Sequence, residues 1–327
     1  MKIINEQQIQ QSYNMRDAIG DVTALLHAKE HGKISNPHRT VIDFPERQAS
    51  ALYMPSADKQ EELAGVKVVT IFPDNPKQGK PTTQGVILLS DATNGEHVAM
   101  MTASYLTRLR TGALSAIATD HLARKDSRVL AVIGTGAMAF EQVIGVLEVR
   151  DIETILLFNR TEEKAVHFKE QLEAFGVQAR IEIAISAKQA IKAADIIACA
   201  TRSTEPVFDG NDLKAGTHIN GVGSYLPHMR EMDETTITRA DKIVADDFAG
   251  VKDEAGELIH AANSGKWSFD QLHAELTELA TGQRSGRETN EEITFFKCVG
   301  AAYFDLAVAK GVYRKAQNHH LGTNVEL

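Results

Sequence analysis

The run Val129-Leu130-Ala131-Val132-Ile133, followed at once by Gly134-Thr135-Gly136-Ala137-Met138-Ala139, constrains this chain more than any other stretch. Five consecutive apolar residues suit a strand covered on both faces, and such strands belong to parallel sheets flanked by helices. The glycine stretch reads G-x-G-x-x-A and opens a helical segment. Gly134 permits the tight turn, Gly136 lets a ligand approach the backbone, and the small Ala139 lets helix and strand pack closely. A pyrophosphate then rests on the free N–H groups of the helix N-terminus. Gly134, Gly136, Ala137 and Met138 are therefore expected to bind a dinucleotide.

Similar apolar runs recur at Thr154 to Phe158, Ile181 to Ile185, Asp195 to Ala200, His218 to Val222 and Lys242 to Ala245, with helical stretches between most of them. This rhythm predicts an α/β fold, a Rossmann-type doubly wound parallel sheet. The chain before residue 128 reads differently, as a smaller α+β unit. Ile19, Val22, Leu25 and Leu26 recur at helical spacing between Met15 and Lys29, and extended stretches follow at Lys67 to Phe72, Gly85 to Ser90 and His97 to Thr102. Asn94-Gly95 marks a hairpin between the last two. Helical spacing returns from Thr102 to about Leu122. Past Phe248 the pattern is helical again, ending in a long helix from Asn290 to roughly Ala316 and a polar tail whose His319 and His320 read as solvated.

The second apolar run ends in Phe158-Asn159-Arg160-Thr161. An NAD site usually carries Asp or Glu there to hold the ribose 2′-OH. Uncharged Asn159 does not repel a 2′-phosphate, and Arg160 can pair with one, so NADP(H) is preferred and NAD(H) remains an alternative. In a second reading Arg160 and Thr161 only begin the next helix, with Thr161 as its cap. Thr201, after the Asp195–Ala200 run, is expected near the nicotinamide or its ribose, and Cys199 reads as a small core residue.

Composition limits the partners. The 327 residues carry 35 Lys+Arg against 44 Asp+Glu, a net charge of −9, with 43% apolar residues. That is about two domains of globular chain, and the acidic balance speaks against nucleic acid and anionic membranes. Two cysteines exclude a disulfide scaffold and suit a reducing compartment. The first residues lack the apolar stretch of a secretion signal, and no apolar run reaches the roughly 20 residues of a membrane helix. A cytoplasmic protein is expected. The twelve histidines show no metal-ligand spacing.

With fold and cofactor argued, other pieces carry a resemblance. Tyr53-Met54-Pro55, Gly65-Val66-Lys67, Leu106-Thr107-Arg108-Leu109-Arg110-Thr111-Gly112-Ala113, the glycine loop, Phe158-Asn159-Arg160-Thr161, Ile219-Asn220-Gly221-Val222-Gly223-Ser224 and Thr294-Phe295-Phe296-Lys297-Cys298-Val299-Gly300 stand in an order and spacing that resembles the ornithine cyclodeaminase/mu-crystallin family. That family also includes an archaeal-type alanine dehydrogenase and reductases of the cyclic ketimines Δ1-pyrroline-2-carboxylate and Δ1-piperideine-2-carboxylate. The resemblance implies a homodimer and a discontinuous substrate and dimerisation domain, residues 1–115 with 300–327, around a dinucleotide domain, residues 116–299. It implies that Arg39, Lys67 and Arg110 hold the substrate, and that Thr82, Arg110, Asn159, Arg160, Thr161, Thr201, Val222, Ser224 and Cys298 join the glycine loop in binding the cofactor. Cys298 stands where the family has a Ser near the nicotinamide.

The chemistry of these cations makes sense on its own. A 2-imino or 2-oxo acid sets a carboxylate beside an electrophilic carbon, and clustered cations neutralise the one and activate the other. A desolvated Lys among cations has a lowered pKa, which makes Lys67 the catalytic proton donor. Cyclodeaminases of the family carry a Glu two residues before the Met of M-P and an Asp after the paired glycines. Here those places hold Leu52 and Ser224 or Tyr225, which favours an NAD(P)H-dependent reductase over an ornithine cyclodeaminase. A nucleotide-bound ligand-binding protein without turnover is the third reading. His38 and His228 read either as lining the site or as exposed loop residues.

Overall fold

The structure, a computed structural model, describes residues 1–326. The chain divides into two compact units, Met1–Arg110 with Ala301–Leu327, and Thr111–Gly300. The first division falls inside the helix Ser104–Leu122.

The first unit is a mixed sheet in the strand order Thr323–Asn324, Lys2–Ile4, His97–Thr102, Thr83–Asp91, Leu63–Ile71, Ala49–Asp58 and Ile34–Ser35, with Thr40–Phe44 also paired to Ala49–Asp58. Adjacent strands run antiparallel except Lys2–Ile4 beside His97–Thr102. The expected hairpin forms, with Gly95 at φ +84°. Helix Met15–Glu30 starts at a capping box in which Asn14 and Asp17 satisfy each other's backbone N–H. It packs with the C-terminal helix Ala302–Asn318, which also lies on Ala49–Asp58 and Leu63–Ile71. The sequence reading offered no strands at Thr40–Phe44 or Ala49–Asp58. Pro55 interrupts the second, yet it keeps its register opposite Val66.

The second unit is a Rossmann-type doubly wound sheet. Its eight strands run in the order Arg180–Ile183, Thr154–Phe158, Val129–Ile133, Ile196–Cys199, His218–Gly221, Thr294–Lys297, Lys242–Ala245 and Ala274–Glu275, and every neighbouring pair is parallel. The first three strands wind outward from Val129–Ile133 to one edge, and the chain then returns to Ile196–Cys199 on its other side. That reversal opens the crevice where nucleotides bind in such sheets.

One expectation is overturned. The stretch from Asn290 is not the start of a long helix: Thr294–Lys297 is a strand, fully buried and paired on both sides. Threonine and two phenylalanines favour a pleated core position, and the helix begins only at Ala302, after Gly300 at φ +86°.

In this unit Gly145, on the helix opened by the glycine loop, Ala139–Val149, lies against Gly112 of the Ser104–Leu122 helix. A Cβ on Gly145 would run into the Gly112 carbonyl oxygen. Gly145→Ala is therefore expected to destabilise the protein by about 1–3 kcal/mol through overpacking, read as a lower Tm in calorimetry.

Candidate functional site

In the first unit, Lys67 is the one fully buried side chain along Leu63–Ile71. Two residues earlier on the same face, Gly65 lets the C-terminal helix approach, since a Cβ there would stand 3.2 Å from Leu306 Cδ1. Beside Leu306, Asp305 accepts from Lys67 Nζ at 2.6 Å through Oδ2 and from Arg110 Nε at 3.2 Å through Oδ1. All three are nearly closed to solvent: Lys67 4%, Arg110 5% and Asp305 1% exposed. Lys67 and Arg110 thus share one carboxylate, and half-buried Arg39, just before Thr40–Phe44, adds its field to Lys67.

Burial, opposed by the Asp305 carboxylate and reinforced by Arg110 and Arg39, lowers the Lys67 pKa to about 8. Burial pushes the Asp305 carboxyl up, but Lys67 and Arg110 overcome it and hold the group below the usual carboxylate range. An ammonium poised near 8 gives up its proton far more readily than an ordinary lysine. Clustered cations of this kind suit a small carboxylate. Lys67 pairs in register with Met54, so Leu52 lies on the same face one step along the strand. An aliphatic side chain occupies the place where a second acid or base would act.

In the second unit the glycine loop fits a dinucleotide. Gly134 takes φ +88°, and a Cβ there would lie 2.5 Å from Thr201 Cγ2. Gly136 and Ala137 are exposed, and a Cβ on Gly136 meets nothing within 4 Å. The Thr135 hydroxyl is buried without a partner among the described residues, a polar atom left for a ligand to satisfy. Asn159 braces the loop, accepting from Thr135 N at 3.2 Å and donating to the Thr161 carbonyl at 2.8 Å. Thr161 stands at the N-terminus of helix Glu162–Phe175, but its hydroxyl makes no capping bond. Both Arg160 and Thr161 face solvent.

Thr201 and Ser224 come together beyond the ends of Ile196–Cys199 and His218–Gly221, around the buried carboxylate of Glu231, while Val222 N donates to the Cys199 carbonyl at 3.0 Å. Glu231 Oε1 accepts from Thr201 N at 2.6 Å and Thr201 Oγ1 at 2.8 Å, while Oε2 accepts from Gly223 N at 2.7 Å and Ser224 N at 3.1 Å. Ser224 is wholly buried. Its hydroxyl lies 2.7 Å from Glu257 Oε2, and Lys297 Nζ donates to its Oγ and its carbonyl, each at 2.6 Å. Lys297 and Glu257 also pair at 3.0 Å, both fully buried. Expected to face the cofactor, Ser224 has its polar atoms turned into the protein. Cys298 likewise points its thiol at Asp246 Oδ2, 3.1 Å away. Cys199 lies in the core, as its apolar surroundings suggested, and burial raises its pKa.

Of the remaining expected residues, Thr82 is half-buried in the first unit, its carbonyl accepting from Phe72 N at 2.8 Å. His38 and His228 are exposed, and Tyr225 is half-buried. Among the described residues no three His, Cys, Asp or Glu side chains are placed to hold a metal ion, and no helix is long and apolar enough to cross a membrane. The sequence reading missed Asp305, Glu231, Glu257 and Lys297. Asp305 had a visible signal, a lone carboxylate inside the apolar run Ala301 to Val308.

The chain is similar to known proteins. The model of the ornithine cyclodeaminase/mu-crystallin family matches residues 1–320. A Δ1-pyrroline-2-carboxylate reductase of Bacillus cereus is 40% identical over 327 residues, all of both chains. Among solved structures, the Δ1-pyrroline-2-carboxylate reductase of Thermococcus litoralis in complex with NADH and L-proline is 38% identical, with a TM-score of 0.95 over 99% of this chain and 100% of that one. An archaeal alanine dehydrogenase dimer with bound NAD is 32% identical, with a TM-score of 0.93 over 100% and 99%. The chain belongs to the ornithine cyclodeaminase/mu-crystallin family.

Proposed function

We propose that this protein is an NAD(P)H-dependent reductase of a small 2-imino acid, with a cyclic ketimine such as Δ1-pyrroline-2-carboxylate as substrate and the cyclic amino acid as product. The observation that carries this reading is the buried Lys67–Asp305–Arg110 cluster, whose lysine is brought close to losing its proton. Arg110 and Arg39 hold the substrate carboxylate, and Lys67 delivers its proton to the imine nitrogen as the C=N π pair becomes an N–H bond. Asp305 keeps Lys67 in place and protonated enough to act. The reduced nicotinamide supplies the hydride for the imine carbon. Leu52 and the inward-turned Ser224 disfavour cyclodeamination, which needs a further base at one of these places.

The direct test is oxidation of NADPH or NADH by the purified protein with Δ1-pyrroline-2-carboxylate, Δ1-piperideine-2-carboxylate, or pyruvate plus ammonia; no oxidation with any of them overturns the proposal. Lys67→Met is expected to lower kcat by roughly 10²–10⁴. In the unaltered enzyme kcat/KM for reduction should be level below pH 8 and fall above it, because Lys67 loses its proton near 8. A Lys67→Met profile without that fall, set against the unaltered one, assigns the titration to this residue.

The reading includes a preference for NADPH, supported by solvent-facing Arg160 and Thr161 and the absence of a carboxylate at position 159. Asn159→Asp keeps the acceptor for Thr135 N but adds a charge that repels a 2′-phosphate. It should lower kcat/KM for NADPH about tenfold, the effect of a like charge within several ångströms at intermediate dielectric, and leave NADH nearly unchanged.

It also includes a homodimer. Opposite the Lys67 face, register puts Tyr53, Val68 and Val86 in one row, with Ile42 and Phe44 on the same side. Tyr53 is 39% and Val86 40% exposed, an apolar face of the kind that a second copy covers. Val86→Glu should yield a monomer by light scattering where the unaltered protein gives a dimer.

A further inference from the structure

The Glu231 carboxylate meets four donors, three backbone N–H groups and one hydroxyl, all from loops that follow adjacent strands in the second unit. A carboxylate is acceptor-only and offers two oxygens with about four lone-pair directions, so this group matches its surroundings fully. Glu231 is wholly buried and therefore does not itself touch a ligand. Its effect is on Thr201, Gly223 and Ser224. The fit leaves no slack: a Cβ on Gly223 would run into the Thr201 backbone and stand 2.7 Å from Glu231 Oε1. On its other side Thr201 packs against the Gly134 turn, where a Cβ would meet its Cγ2 at 2.5 Å. Ser224 is gripped again from beneath by Lys297 and Glu257.

In a doubly wound sheet a dinucleotide lies across the switch in strand order, one half over the first strands and one half over the returning ones. Gly134–Met138 and Asn159–Thr161 belong to the first half. Thr201 and Val222–Ser224 belong to the second, and Glu231 holds Thr201, Gly223 and Ser224 among them. We propose that Glu231 is the positioning residue of the nicotinamide half of the dinucleotide site, setting the Thr201 and Gly223–Ser224 loops at a fixed separation, while its carboxylate makes no hydrogen bond to the residues of the adenosine half. The inference rests on the reading of this unit as an NAD(P)-binding unit, not on the substrate reduced.

Glu231→Gln tests it. The substitution keeps size and shape but turns an amide NH2 toward two of the four donors, which must then separate. The measurement is calorimetric binding of whichever of NADH and NADPH the unaltered protein binds more tightly, beside the matching fragment of the adenosine half alone, 5′-AMP or adenosine 2′,5′-bisphosphate. Expected is a loss of about tenfold or more for the whole dinucleotide, since displacements near 1 Å at a site have effects of that order, with fragment affinity within about twofold of the unaltered protein. Equal losses for both ligands overturn the proposal by showing a general scaffold role, and unchanged affinity for both overturns it by showing none. If Glu231→Gln does not fold, Thr201→Val carries the test, since it removes only the hydroxyl donor; a smaller loss confined to the whole dinucleotide supports the proposal, and equal or absent losses overturn it. Failure of the unaltered protein to bind either ligand removes the dinucleotide reading itself, whereas binding without imine reduction removes only the proposed substrate.

Discussion

A buried carboxylate between two buried cations is the interaction on which the first unit depends. Removing an ammonium from water without a partner has an effective penalty of several kcal/mol, comparable with the net stability of a whole domain. Lys67 sits at the buried centre of its strand only because Asp305 reaches it from the C-terminal helix at 2.6 Å. The same contact decides the chemistry. Asp305 favours the charged lysine, while burial and the fields of Arg110 and Arg39 disfavour it, so the group is held close to losing its proton. Structure and reactivity here are two readings of one electrostatic balance.

The second unit uses buried acids differently, as anchors for backbone. Glu231 gathers the loops beyond two adjacent strands. Asp246 Oδ2 accepts from Val299 N at 3.2 Å and Gly300 N at 2.7 Å, besides the Cys298 thiol. Asp195 Oδ2 accepts from Arg128 N at 2.8 Å and Val129 N at 2.9 Å, tying down the entry to the first strand. Hydrogen bonds from N–H groups to a charged acceptor are shorter and stronger than neutral ones. Loops in which few residues form regular structure are thereby fixed to the sheet at chosen points.

How much of this is legible in the sequence varies with the range of the interaction. Val129–Ile133 and Gly134–Ala139 were readable because a buried parallel strand and a phosphate turn impose their composition locally. The paired acids were not, because Asp305 meets Lys67 across 238 positions of sequence, and nothing near either residue names the other. The error at Thr294–Lys297 has the same origin. Its apolar residues follow either period over so short a span, and only the neighbouring strands His218–Gly221 and Lys242–Ala245 decide for extension. Ser224 and Cys298 stand at the expected turns, yet their side chains answer to Glu257, Lys297 and Asp246, partners drawn from other elements.

The return of the C-terminal helix to the first unit has a consequence for how the chain is born. A ribosome adding roughly 5–20 residues each second releases Asp305 on the order of 10–50 s after Lys67, given the 238 positions between them. Through that interval the lysine's strand has no counter-ion to fold against. The inserted unit is complete once Gly300 has emerged, with Glu231, Glu257 and Lys297 all available to it. Synthesis therefore favours a nascent protein whose middle matures first, and whose beginning waits for its end.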